Sequence, residues 1–220
     1  MVMLDEDTSK HVVQVLRMEN GEKIRLTDGK GNLYTCEITD NHRKKCSVAV
    51  IERTTVNKRL SNTCIAISPL KNNSRFEWFL EKATEIGITE IVPLVCERTE
   101  KPQLKPERLH GILVSAMLQS QQAWLPVLRD AIKLIDYVKQ AGNDASLQKL
   151  IAHCEEYKKT PLSTIQPSSH STILIGPEGD FSPKEIGQAL QSGFEPVSLG
   201  ETRLRTETAG MVAAVLLVVR

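Results

Sequence analysis

Over the first sixty residues, apolar and polar side chains alternate with the period of a strand at positions 23–27, 33–39 and 47–53. Asp28-Gly29-Lys30-Gly31 between the first two runs is a turn sequence that predicts a hairpin. Residues 8–16 predict a first helical stretch, with Ser9 as its cap. This part reads as a small, barrel-like β-domain.

After Leu60 the period changes. An apolar run at 63–68 is followed by Phe76, Phe79, Leu80, Ala83 and Ile86 at helix spacing, with Gly87 where a left-handed cap belongs. A second apolar run at 90–95 completes a βαβ unit, which implies a parallel sheet with a right-handed crossover. The alternation goes on with a helix face at Leu109, Ile112, Leu113, Ala116 and Ser120, a short strand at 126–128 and a helix at 132–140. Strands at 149–154, 172–175 and 196–199 follow. Ser182-Pro183-Lys184-Glu185 combines a capping serine, proline at the first helical position and glutamate at the third, which starts a helix ending at Gly193. The last helix is predicted from about Thr206 to the C-terminus. Alanine and valine lie all round it, which fits burial in a core, a dimer interface or both. The division places a β-domain at residues 1–58 and an α/β domain at 59–220.

Bulk properties narrow the class. With 40 % apolar and 25 % charged residues the composition is that of a folded globular chain, and 4 % aromatic residues argue against broad base-stacking platforms. The net charge of +1 hides a local excess. Between 41 and 60 stand Arg43, Lys44, Lys45, Arg53, Lys58 and Arg59 against Glu52 alone, a balance of +5 that suits either a polyanion or a solvated loop. The five cysteines, at 36, 46, 64, 96 and 154, are odd in number and none stands at metal-ligand spacing. They read as reduced thiols in a cytoplasmic protein. The longest uncharged apolar run, 210–219, is too short to cross a bilayer. No membrane partner and no metal are expected.

Dinucleotide, P-loop, nucleophile-elbow and zinc-protease signatures are all missing. Two glycine loops remain. Ile175-Gly176-Pro177-Glu178-Gly179-Asp180-Phe181 ends one apolar run, and Leu199-Gly200 through Arg203-Leu204-Arg205-Thr206-Glu207 ends another. Ligands of open α/β sheets settle at the carboxyl ends of strands, and glycine there admits close backbone approach. Either loop alone fits a plain turn, and Arg203 and Arg205 fit surface cations beside Glu201 and Glu207 equally well. Both loops together point to one shared site for a compact ligand.

The two loops, Gly176-Pro177-Glu178-Gly179-Asp180-Phe181-Ser182 and Ser198-Leu199-Gly200 with Leu204-Arg205 and Glu207-Thr208-Ala209, resemble the ribosomal RNA small subunit methyltransferase E family. These are uridine-N3 methyltransferases of the SPOUT superfamily. His11, Leu16-Arg17, Gly21, Asp28-Gly29, the run Lys82-Ala83-Thr84-Glu85-Ile86-Gly87, and Gln119-Ser120 with Pro126 agree with it. Three departures stand out. Gln122 occupies a usual arginine position, Leu118 occupies a common glutamate position, and the chain starts late, which predicts a truncated start or a barrel lacking its first strand.

The resemblance implies a PUA-like β-barrel that binds RNA and an α/β domain with a SPOUT-type parallel sheet tied in a trefoil knot. It implies S-adenosyl-L-methionine as cofactor, a homodimer, and 16S ribosomal RNA, within the small ribosomal subunit, as partner. The implied cofactor pocket is Ile175, Gly176, Gly179, Leu199, Gly200, Leu204 and Arg205. RNA contacts are expected from Arg17, Arg43, Lys44 and Lys45. Removing the N3 proton leaves an anion that a cation near the flanking carbonyls stabilises. Arg17 and Arg205 are the candidates for that role; Glu207 is the candidate proton acceptor, but a carboxylate at a helix start is a weak base, and a helix-terminal residue with no proton role is the alternative reading. A ribose 2′-O-methyltransferase and a non-catalytic RNA adaptor on the same fold are the competing readings.

Overall fold

The computed structural model describes residues 1–58, 60–100, 104–156 and 158–219. Arg59, named in the basic stretch and as the start of the second domain, and Arg220 at the chain end lie outside the described residues. The remainder forms two compact units, residues 1–58 with 122–124 and the rest of the described chain.

The first unit is built on a four-stranded antiparallel sheet in the order β1-β4-β3-β2. Its strands are β1 (Val2–Met3), β2 (Lys23–Thr27), β3 (Asn32–Asp40) and β4 (Ser47–Thr55). The hairpin turn between β2 and β3 is built by Asp28, whose carboxylate accepts the Lys30 and Asn32 amides at 2.8 and 3.2 Å. Val12, Cys36, Ile38, Cys46 and Val48 make its core. The first helix differs from expectation. α1 (Glu6–Lys10) is capped by Asp5, whose side chain accepts the Thr8 amide, and a π-helical turn continues over His11–Val15. Ser9 is no cap: it is buried, donates to the Leu4 carbonyl and accepts the Cys46 amide at 3.0 Å. A serine that satisfies two buried backbone groups is worth more inside than at a helix end.

Residues 122–124 pack within this unit. The Trp124 indole N–H donates to the Val56 carbonyl at 2.9 Å, and the Gly31 amide donates to the Ala123 carbonyl at 2.8 Å. Gly31 has φ +92°, and a β-carbon there would overlap the Trp124 ring, so both the turn and the close approach demand glycine.

The second unit holds an eight-stranded parallel sheet in the order β10-β12-β9-β11-β5-β6-β7, with β8 also paired to β6. Its strands are β5 (Asn62–Ile67), β6 (Glu90–Val95), β7 (Val127–Leu128), β8 (Ile132–Lys133), β9 (Gln148–Ala152), β10 (Thr160–Pro161), β11 (His170–Ile175) and β12 (Glu195–Ser198). The helices are α2 (Asn73–Ile86), α3 (Pro106–Gln119), α4 (Leu134–Gly142), α5 (Pro183–Gln191) and α6 (Thr206–Val218). Alternate residues of the central strands face two cores, as the period of two requires. Ile65, Ile67, Ile91, Leu150, Ile173 and Ile175 meet α2, α3 and α6, while Ala66, Val92, Leu94, Ile151 and Leu174 meet α4 and α5. Helices on both faces explain why these strands read as continuous apolar runs.

Two of the boundaries that moved have a visible cause. α4 starts at Leu134 because Ile132 and Lys133 are drawn into pairing with Leu94 and Val95. β9 ends at Ala152 because the Cys154 amide is taken by the Asp180 side chain, from the loop after β11, rather than by the ladder. Within the single chain, the last helix is buried on one side. Gly210, Ala213, Ala214 and Leu217 are buried, while Val215 is 41 % exposed.

Candidate functional site

The chain leaves β9, β11 and β12 at their carboxyl ends, and the three exits line one cleft of about 640 Å³. Ala152, His153 and Cys154 come from β9, Ile175 to Glu178 with Asp180 from β11, and 197–206 from β12. The amphiphilic lining, with Ile175, Leu199 and Leu204 beside backbone amides and charged groups, suits a compact ligand that has both apolar and polar parts.

Six of the seven residues predicted as a cofactor pocket line this cleft: Ile175, Gly176, Leu199, Gly200, Leu204 and Arg205. Gly179 is not among the lining residues. It lies beneath Arg98, whose guanidinium donates to the Gly179 carbonyl at 2.7 Å. The two strand-end glycines serve different needs. A β-carbon on Gly176 would press on the Phe181 ring and amide at 3.2 Å, so this glycine lets the loop fold on itself. Gly200 has φ +135°, and a β-carbon there would meet nothing within 4 Å; its backbone is open.

The loops are joined at the start of α6. The buried Thr206 hydroxyl donates to the Gly176 carbonyl at 3.0 Å. Arg205 is the cap residue of α6, is exposed, and makes no side-chain hydrogen bond or ion pair among the described residues. Glu207 does not line the cleft. It is 8 % exposed, its Oε1 stands 3.8 Å from the Arg75 guanidinium, and its Oε2 has no hydrogen-bond partner among the described residues. Arg75 also lies 3.9 Å from Glu178 on the other loop. Glu207 therefore faces Arg75 and not the neighbouring arginines that the sequence offered.

His153, Lys159 and Arg75 carried no signal in the sequence. His153 is buried in the cleft wall, and burial, followed by the charge of Lys159, pushes its pKa down, which keeps the ring neutral at pH 7. Lys159 donates to the His153 carbonyl at 2.7 Å. Burial first, and then Asp180, pushes the Cys154 thiol up.

In the first unit, Arg17 follows the π-helical turn with φ +56°, a conformation rare outside glycine, and its side chain is exposed. Arg43, Lys44 and Lys45 are exposed in the turn between β3 and β4, with Lys44 3.4 Å from Glu6. Arg53 and Lys58 of the basic stretch are engaged locally, Arg53 with Asn32 at 2.8 Å and Lys58 over the Trp124 ring at 5.9 Å. Among the described residues, no group of three or more His, Cys, Asp or Glu is placed to hold a metal ion, and no helix is long and apolar enough to cross a membrane.

A family model described as an RNA methyltransferase domain matches residues 57–218, and one described as an RNA methyltransferase PUA domain matches residues 4–51. The two matches define the class, an RNA methyltransferase domain joined to a PUA domain. Ribosomal RNA small subunit methyltransferase E of Rickettsia conorii is 29 % identical over 219 residues, spanning 96 % of this chain and 87 % of that protein. The same-named protein of Neisseria gonorrhoeae, solved bound to S-adenosyl methionine, is 30 % identical with a TM-score of 0.87 over 97 % of this chain and 89 % of that one. A structure described as a probable rRNA-methyltransferase from Porphyromonas gingivalis is 42 % identical with a TM-score of 0.90, covering 96 % of this chain and 90 % of that one. The chain belongs to the ribosomal RNA small subunit methyltransferase E family.

Proposed function

We propose that this protein transfers a methyl group from S-adenosyl-L-methionine to N3 of a specific uridine in 16S ribosomal RNA. The observation that carries this reading is the meeting of two glycine loops, from β11 and β12, in one cleft closed by the Thr206–Gly176 hydrogen bond. The residues there fit the cofactor. Ile175, Leu199 and Leu204 offer apolar walls, and the unobstructed backbone at Gly200 allows close approach. When bound, the cofactor supplies an electrophilic methyl group.

The chain's own part is to orient the base, exclude water and hold charge. Arg205, exposed at the cleft and with no ion pair among the described residues, is the proposed cation for the anionic base carbonyls. Arg17 is proposed to act on the RNA in the same manner, and with Arg43, Lys44 and Lys45 it gives the first unit its RNA-binding groups. For the N3 proton we propose Glu207, through its unbonded Oε2. Because Glu207 lies outside the lining, this role requires the substrate to approach from the side of Arg75.

The proposal extends to architecture and setting: a first unit that acts as a PUA-like barrel, a trefoil knot in the second, a homodimer, and work in the cytoplasm on the small ribosomal subunit. The test is nucleoside mass spectrometry of 16S RNA from cells lacking the protein, before and after treatment with purified enzyme and cofactor. The appearance of 3-methyluridine supports the reading; 2′-O-methyluridine, or no product, overturns it.

A further inference from the structure

The ladder between β9 and β11 ends at Ala152 paired with Ile175. Past that pair, one side chain ties the two exits together. Asp180 Oδ2 accepts the Cys154 amide at 2.8 Å, and Oδ1 accepts the Phe181 amide at 2.9 Å. Both carboxylate oxygens are thus bound to backbone. The Asp180 amide itself donates to the Pro177 carbonyl at 2.9 Å, closing the turn. Asp180 has φ +63°, a region where glycine is the default and aspartate is tolerated at some strain. Glycine would close the same turn without strain, but it would leave the Cys154 amide without this acceptor. What the side chain adds is the tie across to β9.

The tie lies in the cleft. Asp180, Cys154 and His153 all line it, and so does Glu178 of the same turn. On the other side of the turn, Arg98 holds the Gly179 carbonyl, so residues 177–180 are fixed from two directions. We propose that Asp180 is a positioning residue for the cofactor. It holds the His153–Cys154 segment against the Gly-Pro-Glu-Gly turn, so that this wall of the cleft is formed before ligand arrives. A preformed wall spares the ligand the entropy of ordering two loops, and the benefit appears in affinity rather than in the rate of the chemical step. The ligand named here rests on the methyltransferase reading; the tie itself does not.

The experiment compares the full chain with Asp180→Gly and Asp180→Asn. Amide exchange of Cys154 is followed by NMR without ligand, S-adenosyl-L-methionine affinity by calorimetry, and methylation by kcat and cofactor KM. Asp180→Gly keeps the turn conformation and removes the tie. It is expected to speed Cys154 exchange about tenfold and to weaken cofactor binding roughly three- to tenfold, the range of one ordinary net hydrogen bond, with kcat at saturating cofactor nearly unchanged. Asp180→Asn retains an acceptor and tolerates the same φ, so it recovers most of the affinity. Wild-type affinity in Asp180→Gly overturns the proposal, as does unchanged Cys154 exchange or a fall in kcat at constant cofactor KM. Should the wild-type chain bind no S-adenosyl-L-methionine, the methyltransferase reading fails first and takes the proposal with it. A failure confined to the variants concerns Asp180 alone.

Discussion

The Thr206 hydroxyl donates to the Gly176 carbonyl oxygen at 3.0 Å, joining the first residue of the last helix to the end of a central strand thirty positions earlier. This bond makes two separate turns into one wall. Thr206→Val keeps the shape and removes the donor. It is expected to destabilise the protein by about 1–2 kcal/mol and to weaken cofactor binding, whereas Thr206→Ser retains both. Denaturant midpoints and calorimetry on the two variants decide the matter.

Arg205 is exposed and makes no side-chain hydrogen bond or ion pair among the described residues, so its removal is expected to leave the fold intact. Arg205→Ala is expected to change stability by less than about 0.5 kcal/mol and to lower methylation by roughly 10²-fold, as loss of one preorganised donor does. Methylation at the wild-type rate with normal cofactor affinity contradicts the assignment.

The turn cations Arg43, Lys44 and Lys45 are proposed to contact phosphates. Replacing all three by alanine is expected to weaken RNA binding across sequences and to reduce the slope of log affinity against log salt by roughly two. A filter-binding salt series measures this. An unchanged slope returns these residues to an ordinary solvated turn.

Gly210 shows how tightly α6 is seated. A β-carbon there would lie 2.6 Å from the Phe79 ring and 2.8 Å from the Ile67 terminal methyl, and both neighbours are fully buried. Alanine favours a helix interior by about 1 kcal/mol, but overpacking a closed core costs about 1–3 kcal/mol. The clash wins because neither neighbour can move outward. Gly210→Ala is expected to lower the thermal midpoint; a rise contradicts this packing.

The cysteines respond differently to base. Burial pushes the Cys64 and Cys96 thiols from 9.0 up to about 12. In the unfolded chain they ionise near the lower value, so their contribution to stability is fully present below pH 9 and is lost as pH rises toward 12. The thermal midpoint is expected to fall across that window. Alkylation of the native protein at pH 8, read by mass spectrometry, should label Cys154 first, because it is exposed although its thiol is also pushed up, and leave buried Cys64 and Cys96 unlabelled. Early labelling of either buried thiol counts against this account.

Much of the second unit was legible because its signals are local. Gly87, with φ +96°, caps α2, and Ser182 with Glu185 forms the capping box that its spacing predicted. The cleft residues were legible through the strand-end glycines and the family resemblance. What stayed hidden depends on distant partners. Asp5 and not Ser9 caps α1 because Ser9 is committed to Cys46, thirty-seven positions away. Glu207 was read beside Arg205 in sequence, yet it faces Arg75 of α2. His153 and Lys159 enter the cleft only because β9 lies between β11 and β12, an order that no periodicity encodes.

The central claim is that the turns after β11 and β12 cradle a sulfonium methyl donor together. Hydrogen exchange with and without S-adenosyl-L-methionine tests it directly. The account predicts saturable protection of amides in both 175–181 and 198–206, with the rest of the sheet little changed. Protection of neither turn, of one alone, or only at the opposite ends of the strands would contradict it.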